Sequence, residues 1–297
     1  MFTGLNAFPL TPLAEDGIDE AAFTGLIERL AAAGVDAITA LGSTGSYAYL
    51  TRTERARTAH LAVAAAGEVP VMVGIGALRT RHVLEAAEDA QRAGAAGVLL
   101  APVSYQALTH DDVYGLYADV TAELSVPLAV YDNPGTTHFA FDDELYAAIA
   151  KLPGVASIKI PGVPADPGEA RARIDRLRAL LPDRVTLGVS GDACGAAGLA
   201  AGCDAWYSAI AGTLPQAALA IARPALAGDR AAAHAASERL APLWEMFAAH
   251  GSLRPTAAIA EQLGLVARPC LPLPIRGLGE GERARLAGIV ADLGLDG

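Results

Sequence analysis

One lysine of this chain stands where its side-chain amine could do covalent chemistry. Lys159 lies in the apolar run VASIKIPG (residues 155–162), between Ile158 and Ile160, at the end of a predicted buried strand. Burial disfavours the charged form of lysine, and a neutral amine can attack a ketone to form a Schiff base. The alternative interpretation is a strand-end lysine that extends to solvent or pairs with a carboxylate. Lys151, the other lysine of the chain, follows a predicted helix, where a cation complements the helix dipole, and is expected to be structural.

A phenol and a group of hydroxyls stand at two further predicted strand ends. Tyr131 opens the turn YDNPG (131–135), and close to Lys159 it could donate and accept protons during imine formation. The loop GSTGS (42–46) carries backbone N–H groups and hydroxyls that could hold a carboxylate or a phosphate. The alternatives are a tyrosine that merely covers the rim of the fold and an ordinary capped turn. The loop is not a Walker loop, because no Gly-Lys-Ser/Thr follows it.

A repeating order of apolar runs and amphipathic stretches positions these residues. The runs are short and almost entirely apolar, which is typical of parallel strands buried on both faces. They cover residues 4–8, 35–41, 69–73, 97–101, 126–131, 155–160, 185–190 and 205–210, with helical stretches that include 19–33, 52–66, 79–93, 111–124 and 168–181. Candidate N-caps are Asp19, Thr51, Thr109 or Asp111, and Asp142. Eight alternations predict an α/β fold, a (β/α)8 TIM barrel; the alternative is a doubly wound open sheet, which would usually carry a phosphate loop directly after its first strand.

The chain continues beyond the eighth predicted strand for longer than one barrel helix requires. Helical patterning extends from about residue 216 to residue 295. We therefore expect a (β/α)8 barrel over residues 1–225 and an appended C-terminal helical subdomain over residues 226–297, packed on the barrel. The active site of such a barrel lies at the C-terminal ends of the strands. This placement makes Ser190 and Ile210, at the ends of the seventh and eighth strands, candidate substrate contacts.

Composition and charge argue against several classes of function. The 22 basic residues are outnumbered by 33 acidic ones, and no run of Lys or Arg occurs, so no nucleic-acid or membrane partner is expected. The six histidines show no HxH or HExxH spacing, so no metal is expected. Three scattered cysteines read as reduced thiols, and the stretch MFTGLNAFPL does not read as a signal peptide; both favour a cytoplasmic protein. The apolar stretch 205–222 contains Gly212 and Pro215 and is not expected to span a membrane.

Taken in order, four segments resemble the dihydrodipicolinate synthase / N-acetylneuraminate lyase family of class I, pyruvate-dependent (β/α)8 aldolases. GSTGSYAYLTRTER (42–55) is similar to the family's G-[ST]-T-G-E-x-x-x-L-[ST]-x-x-E-R segment, and YDNPGTTH (131–138) to its Y-N-x-P-x-x-[ST] segment. VASIKIPG is similar to its G-[IV]-K strand end. LGVSGDACGAAGLAAGCDAWYSAIA (187–211) is similar to the segment in which a Ser-Gly-Asp turn precedes G-[AC]-x-G-x-[IV]-S. The joint match covers nearly the whole chain and is far more specific than any one segment.

The resemblance implies a role for each residue at the predicted strand ends. Lys159 would form the Schiff base with a 2-oxo acid, Tyr131 would move protons at the carbinolamine and aldol hydroxyls, and Thr44 would relay protons to Tyr131. Ser43 and Thr44 would hold the carboxylate of the 2-oxo acid through N–H and hydroxyl groups. The resulting iminium is an electron sink that stabilises the enamine. No cofactor is expected, because Lys159 itself supplies this chemistry.

Several positions around the second substrate depart from the family's pattern. Thr136 stands where dihydrodipicolinate synthases carry an arginine that binds the second substrate's carboxylate. Val-Ser at 103–104 stands where they carry a paired tyrosine that completes the proton relay, and Tyr105 is displaced by one position. Ser46 replaces the glutamate of the first segment, and Asp132 the usual asparagine. These changes leave the imine residues intact but weaken the case for aspartate semialdehyde as the second substrate.

The sequence therefore predicts a Schiff-base-forming lyase or aldolase that acts on pyruvate or a related 2-oxo acid and an aldehyde. Thr136 and Tyr105 are expected to contact the second substrate, and Tyr105 or His138 could restore a proton relay or merely pack in a loop. The alternatives are a 2-oxo-sugar-acid dehydratase that uses the same lysine and a catalytically silent pyruvate-binding barrel. Because members of the family are commonly tetramers, a homo-oligomer, either a tetramer or a dimer, is expected.

Overall fold

Eight parallel strands close into a barrel in the computed structural model, which describes residues 1–14 and 17–295. The strands are β1 (Gly4–Ala7), β2 (Ala37–Ala40), β3 (Val71–Gly74), β4 (Gly97–Leu100), β5 (Leu128–Tyr131), β6 (Val155–Ile160), β7 (Thr186–Val189) and β8 (Ala205–Ser208). Each strand pairs with its neighbours in chain order, and β8 pairs in parallel with β1, which closes the sheet. The predicted (β/α)8 barrel is confirmed, and the open sheet is excluded.

Seven of the eight strands are shorter than the apolar runs that predict them, and β6 covers its predicted run 155–160 in full. In two of the seven, the local backbone shows why the strand ends. β2 stops at Ala40, and the next residue, Leu41, takes a φ of 57°, which no strand residue adopts. β8 stops at Ser208 and is followed by a 3-10 turn over Ile210–Gly212. Leu13–Ala14 and Gly17–Ile18, which follow β1, pair in antiparallel orientation, and the sequence did not predict this pairing.

Alternate residues of each strand face the inside of the barrel or the layer beneath the helices. The interior apolar cluster consists of Phe8, Met72, Leu99, Ala101, Ala129, Tyr131, Ala205 and Tyr207. On β6, Ile158 and Ile160 belong to the larger core beneath the helices, so Ser157 and Lys159, which alternate with them, point into the barrel. Ser157 Oγ there shares a 2.7 Å hydrogen bond with Tyr207 Oη. Lys159 is thus directed into the barrel, as the apolar flanks in the sequence predict.

Helices follow the strands and cover the barrel. They are α1 (Glu20–Ala33), α2 (Arg52–Ala65), α3 (Thr80–Arg92), α4 (His110–Glu123), α5 (Pro134–Thr137), α6 (Asp143–Ile149), α7 (Pro167–Leu180), α8 (Gly195–Ala201) and α9 (Pro215–Leu226). The predicted N-caps Asp19, Thr51 and Asp142 each accept a hydrogen bond from a backbone N–H of the first turn. Of the two candidates before α4, the cap is Thr109, which forms a reciprocal capping box with Asp112.

Four further helices follow the barrel and pack against it: α10 (Arg230–Arg239), α11 (Ala241–His250), α12 (Leu253–Gln262) and α13 (Glu280–Asp292). α10 contacts α8 and α9, and Ala257 of α12 shares an apolar cluster with Leu10 and Leu26 of the first βα unit. The appended helices are confirmed. The division at residue 225, which falls at the end of α9, stays a prediction, and residues 296 and 297 of the predicted subdomain lie outside the described residues. Within residues 1–14 and 17–295, no helix combines the length and apolarity needed to cross a bilayer.

Candidate active site

The amine of Lys159 is enclosed by aromatic rings at the C-terminal end of the barrel. Its Nζ lies 4.0 Å from the ring centre of Phe8, 4.0 Å from that of Tyr131 and 5.8 Å from that of Tyr207. The residue is only 5% exposed. The register pairs Tyr131 of β5 directly with Lys159 of β6, which places the phenol beside the amine. The sequence analysis named both Lys159 and Tyr131 as site residues but missed Phe8, because an apolar residue after β1 gives no indication of a functional role.

Burial changes the protonation of this amine. Desolvation lowers the pKa of Lys159 from its ordinary value, because the ammonium loses its hydration in the barrel interior. The nearby Tyr131 and Asp192 oppose this shift, since their anions favour the ammonium, but burial outweighs them. A larger fraction of Lys159 is therefore neutral near pH 7 than in an exposed lysine, and the neutral amine is the nucleophile of imine formation.

The phenol of Tyr131 is held by two polar side chains. Asn133 Nδ2 donates a 2.8 Å hydrogen bond to Tyr131 Oη, and Ser43 Oγ lies 3.2 Å from the same oxygen. Burial alone would raise the pKa of Tyr131, but the charge of Lys159 and the hydrogen bonds from Ser43 and Asn133 overcome it, so that the net shift is downward. A phenol of lowered pKa next to an amine of lowered pKa can exchange protons with it, as imine chemistry requires.

The loop after β2 presents unused donors beside Tyr131. Among the hydrogen bonds of the described residues, the backbone N–H groups of Ser43 and Thr44 have no acceptor, and the Thr44 hydroxyl has no partner. The loop keeps a tight course: a Cβ on Gly42 would lie 2.5 Å from a ring carbon of Phe8. Two neighbouring N–H groups without acceptors can bind a carboxylate, which fits the role predicted for Ser43 and Thr44. The residue of this loop that shares a hydrogen bond with Tyr131, however, is Ser43, whereas the predicted relay residue was Thr44.

Asp192 is a buried carboxylate near Lys159 whose side chain the sequence analysis did not single out. It is 6% exposed and accepts hydrogen bonds from Ser208 Oγ at 2.7 Å and from the Ile210 N–H at 3.2 Å. Burial raises its pKa to about 6, although Ser208, Ile210 and the charge of Lys159 all act to lower it. Its place in the Ser-Gly-Asp turn after β7 was the signal that could have found it. The negative charge of Asp192 favours the ammonium form of Lys159.

Ser190 and Ile210 flank this carboxylate at the ends of β7 and β8. Ser190 Oγ donates a 2.8 Å hydrogen bond to the Ile160 carbonyl, and the Ile210 carbonyl accepts the N–H of Thr213. Their polar atoms thus hold the strand ends in place, and their contact with a substrate stays a prediction.

Thr136 lies on the outer side of the site and is joined to Tyr131 through one amide. It is exposed, and its Oγ1 accepts a 3.0 Å hydrogen bond from Asn133 Nδ2, the group that also donates to Tyr131. The structure therefore brings Thr136 to the site. It does not bring Tyr105 there: this side chain is 91% exposed, because the loop after β4 turns it to solvent, and His138 is exposed as well. Neither forms a relay with Tyr131 within this chain.

Asp132, at the position where the family usually has asparagine, points away from the amine. Its carboxylate accepts a hydrogen bond from Tyr146 Oη, and burial raises its pKa to about 6. Lys151 is exposed in the turn after α6 and takes no part in the site. Within the ranges 1–14 and 17–295, no three His, Cys, Asp or Glu side chains gather in a way that could hold a metal ion.

Comparison with known proteins shows that the resemblance to this family covers almost the whole chain. The profile of the Dihydrodipicolinate synthetase family matches residues 1–293. The 4-hydroxy-tetrahydrodipicolinate synthase of Phenylobacterium zucineum (strain HLK1) is 31% identical over 297 residues, covering 99% of this chain and 98% of that protein. An uncharacterized DapA-like lyase of Halobacterium salinarum is 31% identical, covering 95% of this chain and 90% of its own length. The crystal structure of a dihydrodipicolinate synthase from Agrobacterium tumefaciens str. C58 is similar with a TM-score of 0.94 and 44% identity, covering 98% of both chains.

Proposed function

Because this chain belongs to the dihydrodipicolinate synthetase family, whose members are class I pyruvate-dependent aldolases and lyases, we propose that it is a lyase in which Lys159 forms a Schiff base with pyruvate or a related 2-oxo acid. Membership confirms the predicted family and class of enzyme. The single observation that carries the proposal is the buried Lys159 amine, 4.0 Å from the ring of Tyr131. A nucleophile and a proton donor in contact are the minimum that imine formation needs.

The reaction uses groups that meet around Lys159. The carboxylate of the 2-oxo acid binds the free N–H groups of Ser43 and Thr44, and its keto carbon then faces the amine. The amine adds to that carbon, and Tyr131 moves a proton from nitrogen to oxygen to give the carbinolamine. Loss of water gives the iminium, which makes the neighbouring C3 protons acidic. Removal of one gives the enamine, which adds to an aldehyde and forms the carbon–carbon bond; the reverse sequence breaks it.

The second substrate of this proposal is an aldehyde that carries no carboxylate in need of a cation. Thr136 offers a hydroxyl at the position where an arginine would bind a carboxylate, and Asn133 ties that hydroxyl to Tyr131. A neutral hydroxylated aldehyde fits this rim better than aspartate semialdehyde does, because a carboxylate would meet an exposed threonine without a charge to balance it.

Two other activities are compatible with the same lysine. In a 2-oxo-sugar-acid dehydratase the same iminium would lose a proton from C3, and the resulting enamine would expel the protonated C4 hydroxyl as water. The polar pair Thr136–Asn133 favours hydroxylated substrates of this kind. A catalytically silent, pyruvate-binding barrel would form the imine and stop there. Its support is the exposure of Tyr105, which leaves Tyr131 without a phenol from the loop after β4.

Reductive trapping tests the imine directly. The protein is incubated with pyruvate and sodium borohydride, digested and analysed by mass spectrometry. We expect a reduced adduct on Lys159 and none on Lys151, which serves as an internal control because it is the other lysine of the chain and is exposed. In Lys159→Arg the charge is kept but no imine can form, so the adduct should disappear. A wild-type protein without an adduct on Lys159 would refute the proposed function.

Turnover assays then separate the three activities. Pyruvate is supplied with aspartate semialdehyde or with neutral hydroxyaldehydes, and 2-oxo sugar acids are supplied alone. Faster consumption of the hydroxyaldehydes supports the aldolase proposed here, and loss of water from the sugar acids supports the dehydratase. An adduct on Lys159 without turnover of any of these compounds indicates the silent barrel.

For the cellular setting we propose a homo-oligomer, a tetramer or a dimer, in the cytoplasm. The support for assembly is the exposure of large apolar side chains, with Tyr49 52%, Leu78 65% and Tyr105 91% exposed. The support for a reducing compartment is that Cys194, Cys203 and Cys270 are free thiols. Light scattering after size-exclusion chromatography measures the mass of the assembly. A monomeric mass at micromolar concentration would contradict the proposed homo-oligomer.

A further inference from the structure

The amide of Asn133 joins the buried phenol of Tyr131 to the hydroxyl of Thr136. Its Nδ2 donates one hydrogen bond of 2.8 Å to Tyr131 Oη and another of 3.0 Å to Thr136 Oγ1. An amide nitrogen carries two N–H groups, so each of them can serve one of these oxygens. Among the residues that the structure describes, Asn133 Oδ1 has no hydrogen-bond partner, so both contacts lie on the nitrogen side of the amide.

The side chain of Asn133 is not used to cap the helix that follows it. Asn133 occupies the N-cap position of α5, where an asparagine side chain usually accepts a hydrogen bond from a backbone N–H of the first turn. No such bond forms here, and the N–H of Thr136 is satisfied by the Asn133 backbone carbonyl at 2.9 Å. The start of α5 therefore does not explain where this amide points, whereas its two hydroxyl partners do.

A donor beside Tyr131 Oη decides where the phenolic proton can go. An amide N–H can only donate, so Tyr131 Oη accepts from Asn133 and its own proton must turn to another neighbour. Ser43 Oγ lies 3.2 Å from the same oxygen, and the centre of the Tyr131 ring lies 4.0 Å from Lys159 Nζ. The proton of Tyr131 is thus directed away from Asn133, towards the neighbours that take part in imine formation.

The hydrogen bond from Asn133 gains strength when Tyr131 loses its proton. In the proposed reaction Tyr131 gives this proton to the hydroxyl of the carbinolamine, the carbon–oxygen bond breaks and water leaves, so that an iminium and a phenolate remain. A hydrogen bond to an anionic oxygen is stronger than one to a neutral phenol. Asn133 therefore stabilises the phenolate that this step produces, which agrees with its lowering of the Tyr131 pKa.

Thr136 restricts the rotation of this amide. The terminal torsion of asparagine is broad, so an amide without partners samples many orientations. The hydrogen bond to Thr136 Oγ1 keeps Nδ2 within reach of Tyr131 Oη. Without a hydroxyl at position 136, the second N–H would lose its acceptor and the amide could turn away from the phenol.

We propose that Asn133 and Thr136 form a positioning pair for Tyr131, in which Thr136 holds the amide and the amide holds the phenol as a proton donor to the carbinolamine. This inference rests on the proposed function. It gives position 136, where an arginine would bind a carboxylate of the second substrate, a role in imine formation, before any aldehyde binds. The family's Y-N-x-P-x-x-[ST] segment prescribes no residue at position 133, so the pair is a feature of this chain.

An NMR titration measures the hold on the phenol without any turnover. Protein that contains tyrosine labelled with 13C at the ring Cζ is titrated without substrate, and the resonance of Tyr131 is assigned by its absence from Tyr131→Phe. Asn133→Leu keeps the size of the side chain but removes both N–H groups. We expect the pKa of Tyr131 to rise by about one unit in this variant, because the phenolate loses a donor.

Two variants of Thr136 separate its hydroxyl from its shape. Thr136→Val removes the acceptor oxygen at the same size and should raise the pKa of Tyr131, though by less than Asn133→Leu does. Thr136→Ser keeps the oxygen and should restore most of the wild-type pKa. Because Thr136 acts through the amide, Thr136→Val should add nothing in an Asn133→Leu background. Thr3→Val changes an exposed threonine at the opposite end of the barrel and is the control that should leave the titration unchanged.

The rate of borohydride trapping connects the pair to imine formation. Formation of the Lys159 adduct is measured over a range of pyruvate concentrations, which gives a limiting rate and a half-saturating concentration. In Asn133→Leu we expect the limiting rate to fall about 10-fold, while the half-saturating concentration changes by less than about threefold. The reason is that Ser43 and Thr44, which bind the carboxylate in the proposed function, are left in place.

Three results would overturn the inference: an unchanged pKa of Tyr131 in Asn133→Leu, equal effects of Thr136→Ser and Thr136→Val, or a further rise of the pKa in the double variant. A fall in limiting rate with a matching rise in half-saturating concentration would indicate a merely structural role and would overturn it as well. A wild-type protein that forms no adduct would instead refute the proposed function, and the titration would still show whether the pair holds Tyr131.

Discussion

Tyr131 and Lys159 occupy paired positions on neighbouring strands, and each changes the charge that the other carries. The ammonium of Lys159 lowers the pKa of Tyr131, while the phenolate of Tyr131 raises that of Lys159 against the larger effect of burial. Because both groups are shielded from water, this mutual effect is stronger than it would be at the surface. The pair can therefore hold one proton between them and pass it to a substrate.

Replacing Tyr131 by phenylalanine should separate binding from chemistry. The ring that packs on Lys159 remains, but the proton donor that Asn133 and Ser43 hold is lost. We expect kcat to fall on the order of 10²- to 10⁴-fold, with a much smaller change in KM for pyruvate. Steady-state kinetics with pyruvate and an active aldehyde measure both. A drop of less than threefold in kcat would show that Tyr131 is not the proton donor.

Replacing Asp192 by asparagine should move the pH dependence of imine formation. Above pH 6 its carboxylate raises the pKa of Lys159, so its removal lowers that pKa further, and the neutral amine persists to lower pH. We expect the acid limb of the trapping rate to shift to lower pH by about one unit. Asp183→Asn, which removes an exposed carboxylate, is the matched control and should leave the profile in place. A shift towards higher pH would contradict the assigned interaction.

Replacing Asp132 by asparagine should stabilise the protein at neutral pH but not in acid. Burial raises the pKa of Asp132 from 3.8 to about 6, so the folded protein binds this proton more tightly than the unfolded chain does. The stability that the protonated carboxyl contributes is present below about pH 4 and is lost as the pH rises through 6. Urea unfolding should show that the difference in unfolding free energy between Asp132→Asn and wild type rises by about 1–2 kcal/mol, in favour of the variant, from pH 4 to pH 8.

The matched control for this series is Asp119→Asn, in which an exposed carboxylate of α4 is removed. The difference between this variant and wild type should not depend on pH over the same range. If Asp132→Asn stabilised the protein most at pH 4, the pKa of Asp132 would not be raised in the folded protein, and the prediction would be wrong.

Adding a methyl group at Gly42 should disturb the aromatic enclosure of the amine. The new Cβ would lie 2.5 Å from a ring carbon of Phe8, and Phe8 covers Lys159. We expect unfolding free energy to fall by about 1–3 kcal/mol and pyruvate trapping to slow. Gly25→Ala, in α1 where a Cβ meets nothing within 4 Å, should instead be neutral or stabilising by up to about 1 kcal/mol. Equal effects of the two changes would mean that the fit of Phe8 over the amine is unimportant.

The sequence predicts the direction of Lys159 because its neighbours Ile158 and Ile160 leave it only one face of the strand. It also predicts that Tyr131 lies nearby, since both residues end successive parallel strands and such strands pair in a barrel. The N-caps follow from local hydrogen bonding over three residues, and this is why Asp19, Thr51 and Asp142 could be assigned correctly.

Other parts of the site depend on contacts between distant segments. Phe8 comes to lie against Lys159, and Asp192 comes near enough to affect its charge, only after the barrel has closed. An apolar residue after the first strand gives no signal of this outcome, and the Ser-Gly-Asp turn marks Asp192 only as a residue at a strand end. The same holds for Tyr105 and Tyr47. Tyr105 is 91% exposed, whereas Tyr47 is buried beside Gly76, where a Cβ would lie 3.1 Å from the Tyr47 hydroxyl oxygen.

The most direct test of the central claim is a crystal structure of the protein with pyruvate. We predict continuous electron density from Lys159 Nζ to C2 of pyruvate, with the carboxylate on the N–H groups of Ser43 and Thr44 and with Tyr131 Oη within hydrogen-bond distance of the site of proton transfer. Pyruvate bound in the barrel mouth beside an unmodified Lys159 amine at neutral pH, or an imine on Lys151, would contradict the account.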